Sequence, residues 1–224
     1  NLEDNSISTA GMRQICDALP NSKLSTLIMG SLNIMTVLSM ISKWSQSSKN
    51  VNLSIQNCGL VPRTLCSFIP QLGCNLKGLN LSCNTIDQSF IDCLQTWLSF
   101  STLEFLALSG CLGLCSFKFL VVAKNLKHVE INQADLYDPI VLQLAKFWSR
   151  GELLQISKWS FQNNHLTDKV VQTLKLVKNH ATERLWKRGS LIEMDLKRNQ
   201  ISSACISSSQ SKTVREGFRG IYFK

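Results

Sequence analysis

No apolar run in this chain approaches the ~20 residues that span a bilayer. The apolar stretch 117–123 is broken by Lys118 and is expected to pack inside the fold. Paired cysteine spacing is missing too. The nine cysteines, Cys16, Cys58, Cys66, Cys74, Cys83, Cys93, Cys111, Cys115 and Cys205, are odd in number and scattered, which argues against a disulfide framework. Reduced, partly buried thiols suit the cytosol or nucleus, and a cytoplasmic location is expected. Two glycosylation sequons start at Asn52 and Asn80, but both fall in expected strands.

Catalytic constellations are equally scarce. The C-x3-C of Cys111 and Cys115 lacks the second ligand pair that a zinc site needs. His128, His165 and His180 share no metal spacing, and no context makes Cys115 with His128 a nucleophile and base. There is no G-x-x-x-x-G-K-[ST] phosphate loop. The chain is therefore not expected to be an enzyme or to hold a cofactor or metal. Acidic residues are few, 15 against 24 Lys and Arg, for a net charge of +9. Residues 168–224 carry 12 Lys/Arg against 5 Asp/Glu, including Lys187, Arg188, Lys197, Arg198, Lys212, Arg215, Arg219 and Lys224. These are spread out without interleaved aromatics, so a solubilising or acid-facing surface is expected and nucleic acid is not.

What the chain does have is a repeated frame, L-x-x-L-x-L-x-x-N-x-I. Clear copies are Leu76, Leu79, Leu81, Asn84, Ile86; Ile156, Trp159, Phe161, Asn164, Leu166; and Leu191, Met194, Leu196, Asn199, Ile201. A truncated copy, Leu2, Asn5, Ile7, opens the chain. The second leucine of each L-x-L falls at Leu2, Met29, Ile55, Leu81, Leu108, Ile131, Phe161 and Leu196, at intervals of 27, 26, 26, 27, 23, 30 and 35 residues. A period of this kind means a stack of units, each burying its apolar side against its neighbours. In L-x-L the leucines point inward from a short strand and their neighbours point out. After the strand the chain turns, and a turn buried inside the stack needs hydrogen-bond partners. Asn5, Asn84, Asn164 and Asn199 supply donor and acceptor for a turn ladder, with Cys58 and Cys111 as weaker substitutes. Leu32 and Ala134 cannot, and local slack is expected there.

Between strands the spacing turns helical, as in Gly11–Leu19, Phe90–Leu98, Ile140–Phe147 and Asp168–Leu176, the last with Thr167 or Asp168 as N-cap. One full helix per repeat is expected. The segments LSIQNCGL (53–60), LNLSCNTI (79–86) and MDLKRNQI (194–201) make the chain resemble leucine-rich repeats of the ribonuclease-inhibitor subclass. Among proteins of that subclass it most resembles the C-terminal repeats of NOD-like receptors. The resemblance implies an α/β, right-handed solenoid or horseshoe, with a parallel β-sheet on the concave face and helices on the convex face.

Residues 1–205 would form about eight repeats, and 206–224 a C-terminal tail or poor final helix. The irregular LSGCLGLC (108–115) and the long 161–196 interval depart from the pattern. Because the first copy is cut mid-strand without a polar cap, a fragment or the last domain of a longer protein is expected.

The resemblance further implies a protein-recognition or autoinhibitory domain of a cytosolic innate immune receptor, contacting a protein partner or docking on upstream domains. A substrate-recruiting subunit of a ubiquitin ligase is the alternative; it would favour Cys at every turn, whereas Asn outnumbers Cys four to two. A GTPase-regulating repeat protein would carry an acidic tail, the opposite of what is present. The candidate partner-binding residues lie on the concave face: Phe105, His128, Glu130, Asn132, Lys158, Gln162, Glu193, Asp195 and Lys197. The copies beyond Leu108 are the charged, irregular ones, and distinctive recognition is expected there.

Overall fold

The computed structural model describes residues 1–174, 192–205 and the backbone of 221–222. Its strands are β1 (Thr26–Ile28), β2 (Asn52–Ser54), β3 (Gly78–Asn80), β4 (Phe105–Ala107), β5 (His128–Glu130), β6 (Lys158–Ser160), β7 (Glu193–Asp195) and β8 (Ile221–Tyr222). They form one parallel sheet in strict chain order. The leading copy at Leu2 joins it as well: Leu2 N–H donates to Ile28 O at 2.8 Å and Asp4 N–H to Gly30 O at 3.3 Å. Strand pairing also continues past residue 205, where the sequence shows no frame; the remainder of 206–224 lies outside the described residues.

Strands β1–β7 each bury their middle residue and the frame residue just after the strand. Leu53, Leu79, Leu106, Val129, Trp159 and Met194 are buried, as are Ile55, Leu81, Leu108, Ile131, Phe161 and Leu196. Helices cover the other side: α1 (Thr9–Ala18), α2 (Leu38–Ser47), α3 (Pro62–Phe68), α4 (Gln88–Leu98) and α5 (Asp138–Ser149), with a further helix starting at 168. Asp87 caps α4 by accepting from Phe90 N–H at 2.9 Å. Thr167 caps the last of these, its hydroxyl accepting from Lys169 N–H at 3.3 Å. Residues 175–191, among them Leu176, His180, Trp186, Lys187, Arg188 and Leu191, lie outside the described residues. Helices pack ~8–10 Å apart and paired strands under ~5 Å, so the stack bends with its sheet inside. The result is the horseshoe of a leucine-rich-repeat solenoid.

One expectation is corrected. Between β4 and β5 there is no full helix, only a five-residue 3-10 stretch, Lys118–Val122. The interval from Leu108 to Ile131 is the 23-residue one, about one helical turn shorter than the 27-residue interval before it and about two shorter than the 30-residue interval after it. Beside it Phe117, Trp159 and Phe161 form a buried aromatic cluster, with ring centroids 5.7 to 6.0 Å apart.

The turns after the Leu2 copy and after β1–β7 are built by one recurring conformation. Asp4, Ser31, Asn57, Cys83, Gly110, Gln133, Asn163 and Arg198 all have φ between +52° and +68°, and all stand two residues after the frame leucine. This left-handed residue ends the strand, and its N–H bonds the next repeat, as Ser31 N–H does to Gln56 O at 3.0 Å and Asn163 N–H to Lys197 O at 2.9 Å. Glycine, Asn and Asp adopt the conformation most cheaply.

Candidate functional site

The ladder residues close these turns from the following repeat. Asn84 is 4% exposed; its Oδ1 accepts from Cys58 N–H at 3.2 Å and Leu60 N–H at 3.0 Å, and its Nδ2 donates to Ile55 O and Leu81 O, both at 2.9 Å. Asn164 does the same for Ala134, Leu136, Ile131 and Phe161. Asn199 bonds Leu166 N–H and the carbonyls of Phe161 and Leu196. Cys58 Sγ lies 3.1 Å from Met29 O and 3.4 Å from Gln56 O and faces the backbone N–H groups of Leu32 and Ser31, and Cys111 Sγ lies 3.5 Å from Leu81 O and faces those of Asn84 and Cys83. Asn5, at the edge, is exposed and bonds Glu3 O within its own turn. At Ala134 the missing side chain is compensated within the turn, since Leu108 O accepts from Cys111 N–H at 3.2 Å.

The outward residues form three columns across the sheet. Strand register places Phe105, His128, Lys158 and Glu193 in one, and Ala107, Glu130, Ser160 and Asp195 in the next. The third, just after the frame leucines, runs Gly30, Gln56, Ser82, Ser109, Asn132, Gln162, Lys197. It carries a second ladder that the sequence reading did not anticipate: Ser82 Oγ accepts from Ser109 N–H, Ser109 Oγ from Asn132 N–H, and Asn132 Oδ1 from Gln162 N–H, at 3.0, 3.0 and 2.7 Å. Asn132 also accepts from the Ser160 hydroxyl at 2.8 Å, so it is committed within the sheet.

From β5 onward the acidic residues of the face each lie against a Lys or His nitrogen. His128 Nε2 stands 3.2 Å from Glu130, Lys158 4.0 Å from Glu193, and Lys197 3.5 Å from Asp195, which also accepts from Gln162 Nε2 at 2.9 Å. Beside β4, Lys77 and Lys127 clamp Glu104 at 2.9 and 2.6 Å, and their ammonium groups hold its carboxyl down to about 2. Phe105 packs its ring on His128, centroids 4.9 Å apart.

The first half is different. A hollow of about 350 Å³ opens on the concave side of β1–β4, lined by Glu3, Ile28, Asn52, Gln56, Asn80 and Phe105 among others. Ile28 and Phe105 are half-buried. Of the candidate partner-binding residues only Phe105 lines it; the others extend away along the sheet. Glu3 was missed, although extending the third column back one repeat, from Gly30 to the residue after Leu2, finds it. Cys111 is buried and Cys115 exposed. Among the described residues no three His, Cys, Asp or Glu side chains converge as a metal site would need, and no helix is long and apolar enough to cross a membrane.

No protein-family profile matches the chain, and no curated protein matches it in sequence. Similar solved structures include leiomodin-1 actin-binding site 2, 10% identical, covering 82% of this chain and 95% of that one at a TM-score of 0.44. The tropomodulin C-terminal domain of Caenorhabditis elegans is 10% identical, covering 79% and 96% at 0.40. An internalin of Listeria monocytogenes is 14% identical, covering 86% and 59% at 0.42. The solenoid stands on its own strand register and turn ladders.

Proposed function

We propose that this chain is a protein-recognition domain that binds through its concave face, as the sensing or autoinhibitory repeats of a cytosolic NOD-like innate immune receptor. The observation that carries the reading is the contrast between the two halves of that face. From β5 onward the acidic side chains of the face each lie against a Lys or His nitrogen, whereas β1–β4 surround an open hollow with two half-buried apolar side chains, Ile28 and Phe105. Extended concave surfaces are what solenoids offer to partners. The receptor assignment rests on the repeat segments 53–60, 79–86 and 194–201.

The test is affinity capture with the wild-type chain, Phe105→Ser and a convex-face control, Asp92→Ser on α4, each checked for folding by circular dichroism. A protein held by wild type and control but lost by Phe105→Ser supports the reading; equal capture by all three overturns it. A full-length protein with a nucleotide-binding module upstream would support the receptor, and an F-box there the ubiquitin-ligase alternative. Autoinhibition further expects Phe105→Ser to raise nucleotide hydrolysis by that module.

A further inference from the structure

We infer that the hollow on β1–β4 receives a basic side chain, the guanidinium or ammonium tip of an arginine or lysine on the protein partner; this rests on the concave-face reading. Charge is the first argument. Glu3 supplies the carboxylate of the lining, and among the described residues no Lys, Arg or His nitrogen lies within 4 Å of it. By contrast Glu130, Glu193 and Asp195 each have such a nitrogen beside them. A partner covering Glu3 would strip its water, and a buried carboxylate without a cation is costly.

The second argument is orientation. Gln56 Nε2 donates to Glu3 Oε1, and Gln56 Oε1 in turn accepts from Asn80 Nδ2 at 2.9 Å. This relay fixes the Gln56 amide with its donor toward Glu3 and leaves Glu3 Oε2 as an acceptor for an incoming group. Asn52 on β2 lines the same hollow, and its Oδ1 is a further acceptor there.

Space and shape agree. A Cβ on Gly30 would come within 2.6 Å of Glu3 Oε1, and one on Gly78 would collide with Asn52 Oδ1, so the two glycines give these acceptors their room. Ile28 and Phe105 form apolar walls suited to the methylene stem of a long basic side chain, and an aromatic ring attracts a cation. An anionic group would meet Glu3 as a like charge.

The experiment titrates the 15N-labelled chain with Nα-acetyl-arginine methylamide and, in parallel, with the uncharged citrulline counterpart. The expected result is shifts of the Ile28, Ser54, Gln56, Asn80 and Phe105 amides with arginine, far weaker with citrulline, and an affinity roughly tenfold lower in Glu3→Gln. Equal shifts with citrulline, or an unchanged arginine isotherm in Glu3→Gln, would overturn the proposal. The citrulline comparison needs no variant to fold. If either result occurs while Phe105→Ser still abolishes partner capture, the cation site is wrong and the concave-face reading survives.

Discussion

Asn84 Oδ1 accepts the backbone N–H of Leu60 at 3.0 Å across a repeat boundary, so the turn of one repeat is completed by a side chain of the next. Asn84→Ala would leave the buried N–H groups of Cys58 and Leu60 without this acceptor. Unsatisfied buried groups cost ~1–3 kcal/mol each, and a loss in that range is expected in urea unfolding. Asn5→Ala, exposed at the edge, should change stability by only a few tenths. Equal effects at the two positions would contradict the ladder.

The left-handed column predicts opposite signs at two of its members. Gly110 has φ +68°, and a Cβ there would lie 2.8 Å from Cys83 Sγ, so Gly110→Ala should destabilise by ~1–2 kcal/mol or more. Gln133, exposed at φ +53°, should tolerate Gln133→Gly with a gain of up to ~1 kcal/mol. Thermal unfolding of both variants checks this.

Much of this architecture can be read from the residues alone, because the L-x-L alternation and the turn Asn are local and periodic. Strand register and the buried frame come directly from that periodicity. The missing helix between β4 and β5 was signalled by the short interval, yet helix and 3-10 stretch share the same apolar spacing in Phe117, Phe119 and Leu120. The concave face was harder. Its columns are predictable, but whether neighbours such as Lys158 and Glu193 answer one another depends on side-chain reach across strands. The hollow depends on two glycines and on Glu3, which follows Leu2 in the short leading copy and lies outside the candidate columns.

Glu104 gives a pH test. Its carboxyl is held from 4.5 down to about 2 by hydrogen bonds to Lys127 and Lys77, reinforced by their charges. A depressed folded-state value means a contribution that is present above pH 4.5 and lost as pH falls toward about 2. Side-chain carboxyl NMR should show Glu104 titrating near 2 at low salt. In Lys77→Met the midpoint should move up toward the ordinary range.

Thiol labelling separates the cysteines by burial. Cys74, Cys83 and Cys115 are exposed, whereas Cys16, Cys58 and Cys111 are buried. Burial also pushes the Cys16 and Cys111 thiols up to about 11, so at neutral pH they hold little of the reactive thiolate. Maleimide at pH 7 should modify the first three rapidly in the folded chain and the second three only on unfolding. Peptide mass spectrometry would report the order.

Recognition by the open half of the concave face is best tested by where a captured partner touches the chain. A photoreactive residue placed at Ser54 within the hollow, at Glu130 in the self-paired half, or at Asp92 on the convex helix α4 would map it. A cross-linked adduct is expected from position 54 and little from position 92. An adduct from position 92 or position 130 with none from position 54 would contradict it.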